Sequence, residues 1–144
     1  MKVHVFFPHK LKNKACGELA DSYVRLASRY CQVDLSVTPY LKSGRTSPAL
    51  LERVRSTDAV FLSERARPVD TRYFVDLLKR ARMTGGTPAF LVGDAEGVPQ
   101  DLESACRASI SLSPLTLPHE LALVVLLEQL WRAVSILENH PYHK

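Results

Sequence analysis

His140, Tyr142, His143 and Lys144 crowd four titratable side chains into five residues, directly after a long apolar run. A histidine with an ordinary pKa near 6.5 can accept a proton at neutral pH. Apolar anchoring followed by such a cluster reads as a built site and not as a disposable terminus. His140 and His143 stand three apart, as metal ligands can, but no Cys or further His lies nearby in sequence, which argues against zinc. Ser113 and His119 are the one Ser/His pair beside a sharp turn. The G-x-S-x-G elbow that would present a serine nucleophile is missing, so hydrolase chemistry is set aside. Gly93-Asp94-Ala95-Glu96-Gly97 follows an apolar run and is a turn where absent Cβ atoms would let a ligand approach. Neither a G-x-G-x-x-G fingerprint nor a P-loop occurs. Trp131-Arg132 could stack on a nucleobase, although a lone Trp more commonly packs in a core or interface.

Those residues must be positioned by a strand–helix alternation. Val3–Phe7, Val33–Val37, Ala59–Leu62, Pro88–Val92 and Ser109–Leu112 read as strands. Between them, Ala15–Tyr30, Pro48–Val54, Thr71–Met83 and Leu102–Arg107 carry helical spacing, and Gly85-Gly86 ends the third. A last helix starts at Pro118. This order predicts an α/β protein of one domain, residues 1–144, with a parallel-type sheet and helices on both faces. Ligands of such sheets bind outside the carboxyl ends of the strands. That rule selects the turns after Leu62, at Gly93–Gly97 and at Ser113–Pro118. Leu121–Leu127 is apolar on every side of its helix, which demands cover all round and predicts a second subunit against the outer face.

The chain has 144 residues and a formal charge of +4. Residues 1–82 hold 16 Lys/Arg against 8 Asp/Glu, a net of +8, and residues 83–144 hold 3 against 7, a net of −4. This asymmetry is a nucleic-acid signal, although solvated helix faces produce the same count. Cys16, Cys31 and Cys106 are odd in number and far apart, as in a reducing compartment. No signal-peptide pattern follows Met1, and the longest apolar run falls far short of the roughly 20 residues that span a bilayer. A cytoplasmic protein with no membrane span and no metal is expected.

Ser111-Leu112-Ser113-Pro114-Leu115-Thr116-Leu117-Pro118-His119-Glu120-Leu121, Leu126-Leu127-Glu128-Gln129-Leu130-Trp131-Arg132-Ala133 and Pro141-Tyr142-His143-Lys144 together resemble one family closely. It is that of the ribosomal large-subunit rRNA pseudouridine N3-methyltransferases, small members of the SPOUT superfamily. Leu62-Ser63-Glu64-Arg65-Ala66-Arg67 is similar to a further turn of that family. The resemblance implies a C-terminal trefoil knot, a homodimer and S-adenosyl-L-methionine as cofactor. Its cofactor positions fall on Leu62, on Gly93 with Asp94 and Gly97 of the same turn, and on Leu112, Ser113, Pro114, Leu115, Thr116 and Leu117. The chain departs from the family at Asp94, where a second glycine is usual, at Pro8-His9, and at Val124, where many members carry Arg.

The implied reaction methylates N3 of a pseudouridine in large-subunit rRNA on the assembled ribosome. That nitrogen carries an imide proton, so a general base is needed within hydrogen-bond reach. His143 is the first candidate, with Tyr142, Arg132 and His119 as further catalytic candidates. Lys10, Lys12, Lys14, Lys42, Arg45, Arg65 and Arg67 are the candidates for rRNA phosphates. Asp94, Pro8 and Val124 motivate an alternative, a non-catalytic dimer of the same fold that binds ribosomes or an adenosyl ligand.

Overall fold

The computed structural model describes residues 1–94 and 96–143, the side chain of His143 excepted. Five strands alternate with five helices: β1 (Lys2–Phe7), α1 (Lys14–Ala27), β2 (Gln32–Val37), α2 (Pro48–Arg55), β3 (Asp58–Leu62), α3 (Thr71–Thr84), β4 (Pro88–Val92), α4 (Gln100–Ala105), β5 (Ala108–Ile110) and α5 (His119–Leu137). A 3-10 turn, Pro141–His143, follows α5. Side chains start three of the helices. Asn13 accepts from the Cys16 amide, Ser47 from Leu50 and Asp70 from Tyr73, each satisfying an amide that has no partner within its helix.

All strands run parallel, in the order β2-β1-β4-β3-β5. Side chains alternate across the sheet with period two. Val5, Phe7, Val60, Leu62, Phe90 and Val92 point into one layer, which α1, α3 and α5 cover. Phe6, Ala59, Phe61, Ala89 and Leu91 point into the other, which α2 and α4 cover. Burial on both faces explains why β4 is apolar throughout, Pro88–Val92, with no polar alternation. The expected α/β sheet with helices on both faces is present.

Element ends differ from the sequence reading in a few places. The first helix stops at Ala27 and not at Tyr30, because the Ala27 carbonyl accepts from both Tyr30 and Cys31 as the chain turns into β2. The short fourth helix begins two residues earlier, at Gln100. The fifth strand ends at Ile110, and Ser111 pairs with Pro68 of the β3–α3 connection instead. Pro118 is the N-cap of α5 and His119 its first residue.

The largest correction concerns α5. Leu123, Val124, Leu126, Leu127, Leu130, Trp131 and Val134 are all buried within one chain. The helix lies in a trough between α1 and α3 over the sheet, so three sides are covered. Two neighbours a turn apart stay exposed, Leu121 at 45% and Val125 at 37%.

Phe90 is wholly buried at the centre of the sheet. Phe90→Ala should destabilise by about 3–5 kcal/mol, read as a lowered urea midpoint with an unchanged slope.

Candidate functional site

The connections after β1, β3, β4 and β5 all emerge at the carboxyl edge of the sheet. β4 lies between β1 and β3, which puts its turn at the middle of that edge. A narrow cleft opens there, with about 450 Å3 between its walls including the mouth.

One wall is Leu62, Ser63 and Glu64 from the end of β3. Val92, Gly93 and Asp94 form the floor, and Leu112, Ser113, Leu115 and Leu117 close the opposite side, with Ala122 of α5 beneath. Seven of the ten expected cofactor positions therefore meet in one place. Pro114 and Thr116 belong to the same turn but do not line the cleft, and Gly97 lines an adjoining depression behind Asp94.

A clamp shapes the cleft. The Ser63 amide donates to the Ile110 carbonyl (2.9 Å), and the Ser111 amide donates to the Arg67 carbonyl (2.9 Å). The Val69 amide donates in turn to the Ser111 carbonyl (3.1 Å). Residues 110–111 are thus held between β3 and the returning limb of the β3–α3 connection. The Ser111 hydroxyl, fully buried, donates to the Ser113 carbonyl (2.7 Å) and sets the next turn. The Ser113 hydroxyl accepts from the Leu115 amide (3.0 Å), a turn-forming role unlike that of a nucleophile. Among the described residues, the amides of Leu112, Thr116 and Leu117 have no hydrogen-bond partner. Free backbone amides between leucine walls fit a purine edge and ribose. The rim carboxylates Glu64 and Asp94 suit a ligand carrying positive charge. These residues fit S-adenosylmethionine.

Gly93 is required for packing more than for ligand approach. A Cβ there would lie 2.8 Å from Phe61 Cε2 and 3.3 Å from Val98 Cγ1. Gly97 has φ +89°, a conformation that side chains rarely adopt. Asp94 neither caps α4, whose N-cap is Pro99, nor leaves its turn loose; its carboxylate accepts from the Glu96 amide (2.9 Å). Ala95 of this turn lies outside the described residues.

His119 sits one turn before Ala122 on α5. Its ring stacks on Phe7 and meets His9, with centroids 5.4 and 4.6 Å apart. The His9 Nε2–H donates to the Val92 carbonyl (3.3 Å), and the ring meets Tyr40 edge-on. Burial lowers the His9 pKa, and the neighbouring His119 lowers it further. Sequence reasoning missed His9 and Tyr40 as site residues, because no spacing joins residues 9, 40 and 119.

Tyr142 and Arg132 lie elsewhere. Thirteen residues of α5 separate His119 from Arg132, a rise of roughly 20 Å. Arg132 donates to Glu128 Oε1 from Nε (2.9 Å) and Nη2 (2.6 Å), which raises its pKa and occupies its charge. The Tyr142 hydroxyl donates to the same oxygen (3.0 Å). Its ring packs on Trp131 and under the Arg132 guanidinium. Burial first, then the bond to Glu128, pushes the Tyr142 pKa up to about 12, so the phenol stays protonated. Within one chain, neither residue shares the cleft with Gly93. The side chain of His143, and Lys144, lie outside the described residues.

Lys10, Lys12, Lys42, Arg45, Arg65 and Arg67 are exposed in connections at the carboxyl edge, and Lys14 is exposed as the first residue of α1 beside them. None of the seven forms an ion pair among the described residues. By contrast Lys2, Arg53, Arg72, Arg82, Arg107 and Arg132 are each paired with a carboxylate. Among the described residues no group of three His, Cys, Asp or Glu side chains converges as metal ligands would. No helix is long and apolar enough to cross a membrane.

The parallel α/β sheet thus carries a largely apolar cleft at its central strand ends, beside exposed cations that form no ion pair among the described residues. More particularly, the chain belongs to the SPOUT methyltransferase family: the family described as Predicted SPOUT methyltransferase matches residues 1–143. Similar proteins include a Ribosomal RNA large subunit methyltransferase H from Thermus thermophilus, 39% identical over 125 residues that cover 86% of this chain and 85% of the relative. Proteins of the same name from Solibacter usitatus and Nitrosomonas eutropha are 29% and 31% identical, over 99% and 100% of this chain and 99% of each relative.

Because the fold lowers the His9 pKa, it favours the neutral ring. The stability linked to His9 is full above the ordinary value of 6.5 and is lost as pH falls through the folded pKa. Urea unfolding between pH 7.5 and 5 should show this loss, and His9→Gln should lessen it. His4, also depressed by burial, retains its share of the slope.

Proposed function

We propose that this protein, acting as one domain over the whole chain, is an S-adenosylmethionine-dependent methyltransferase of large-subunit rRNA. Its target is N3 of a pseudouridine on the assembled ribosome, in the cytoplasm. One observation carries the reading: the cleft that fits the cofactor opens on the same sheet edge as the seven unpaired cations. The family membership and the names of the relatives support it.

When bound, S-adenosylmethionine supplies an electrophilic methyl group. This chain must bind the nucleobase, remove its imide proton and exclude water. The seven cations hold phosphates, a contact that gives affinity without sequence information. The general base is His143, with Tyr142 touching the nucleobase through its hydroxyl oxygen, whose own proton is donated to Glu128. Arg132 holds the Glu128 carboxylate that fixes Tyr142. His119 forms a wall next to the cleft.

The distance along α5 determines the assembly. A tail docked roughly 20 Å from His119 serves a cleft only when it comes from another protomer. A homodimer whose α5 helices run oppositely brings each tail to the partner's cleft. The exposed Leu121 and Val125, beside Ala122, provide an apolar contact at that end. The backbone bonds that hold residues 110–111 between β3 and the β3–α3 connection are compatible with a C-terminal trefoil knot.

Labelled S-adenosylmethionine incubated with ribosomes lacking the modification should yield a methylated pseudouridine by mass spectrometry. Free rRNA should be a poor substrate, and His143→Ala should transfer at least about a hundredfold more slowly. Full activity in His143→Ala removes that residue from the mechanism. No transfer by folded, dimeric wild-type protein favours the non-catalytic ribosome-binding reading.

A further inference from the structure

Beside the cofactor cleft, across the first turn of α5, lies a second pocket of about 720 Å3 including its mouth. Ala122 lines the cleft, and His119, one turn earlier, lines this pocket. Its inner surface is His9, Tyr40 and His119, and its rim is Lys10, Lys12 and Glu120. The rings of His9 and Tyr40 stand nearly perpendicular, 88° apart, and His9 and His119 are tilted by 49°. This leaves planar faces and edges arranged around an open space.

Three features lack a structural explanation. The Tyr40 ring lies edge-on to His9 at the pocket wall, while its hydroxyl is buried away from solvent without a hydrogen-bond partner among the described residues. Lys10 and Lys12 are exposed and form no ion pair among the described residues, two residues apart on the same rim. Two histidines meet with no carboxylate bonded to either ring. Glu120, the one acid on the rim, has an oxygen already engaged by the Asn13 amide (2.9 Å). That bond ties the β1–α1 connection to α5, so the pocket is held open by the fold.

We propose that this pocket is a subsite for a second nucleotide of the RNA, a neighbour of the one that reacts. Its nucleobase lies among His9, Tyr40 and His119, and its phosphate is held by Lys10 and Lys12. Aromatic faces accept any nucleobase by stacking. The subsite would orient the RNA so that the reacting nucleotide is presented to the adjoining cleft. This rests on the RNA-methyltransferase reading above.

The test is titration of the protein with uridine 5′-monophosphate, its cleft filled with S-adenosylhomocysteine, following the histidine ring signals by NMR. The ring signals of His9 and His119 should move together and saturate. Lys10→Ala/Lys12→Ala should weaken binding about tenfold. Lys79→Ala/Arg80→Ala, which removes the same charge at the opposite edge of the sheet, should change it less than about twofold. Still histidine signals, or equal weakening by both double variants, overturns the subsite. Methyl transfer is measured separately on the same proteins. Its absence in the wild type would sink the functional reading, whereas transfer with still histidine signals would sink the subsite alone.

Discussion

Three backbone hydrogen bonds around Ile110 and Ser111 hold the rest of the structure in place. They fasten the end of β5 between β3 and the limb of the connection that returns toward α3. A three-residue edge strand would otherwise be weakly held. With both sides bonded, the turn from Ser111 to Leu117 has a fixed origin. Its leucines then face the ends of β3 and β4 across a narrow gap. The free amides in that turn stay free because Ser111 and Ser113 satisfy the neighbouring groups with their own hydroxyls. The cleft is thus a consequence of how the chain is tied, and few of its contacts depend on side-chain chemistry.

The same tie aims α5. The helix leaves the clamp at Pro118, passes between α1 and α3, and carries one end of the chain's chemistry away from the other. At its start are His119 and the cleft; near its end are Glu128, Arg132 and Tyr142, bound to each other. Packing decides this separation, since the apolar surface of α5 needs the whole trough to be covered. A site that needs both ends then needs two chains.

Much of the fold could be read from periodicity. Strands such as Pro88–Val92 stand out because a parallel strand is apolar on both faces, and the rule that ligands sit at carboxyl ends picked three turns that do converge. Strand order could not be read, because β4 enters between β1 and β3 through contacts distant in sequence. The extent of cover on α5 was misjudged for the same reason: periodicity shows which face is apolar, and neighbours decide how much of it a single chain covers. Gly93 looked like a ligand-approach glycine, yet the Phe61 ring explains it. His9 and Tyr40 were invisible as partners of His119, since loop residues acquire neighbours only when the sheet forms. Arg132 stood out as a catalytic candidate, and the structure pairs its charge with Glu128, one turn back.

Hydrogen exchange of the protein with and without S-adenosylhomocysteine addresses the central claim most directly, that the tied turns form the cofactor site. The account predicts new protection confined to the backbone of Leu62–Glu64, Gly93–Asp94 and Leu112–Leu117. Binding with protection centred elsewhere, such as the groove along Arg67–Asp76 beside α3, or no binding at all, would contradict it.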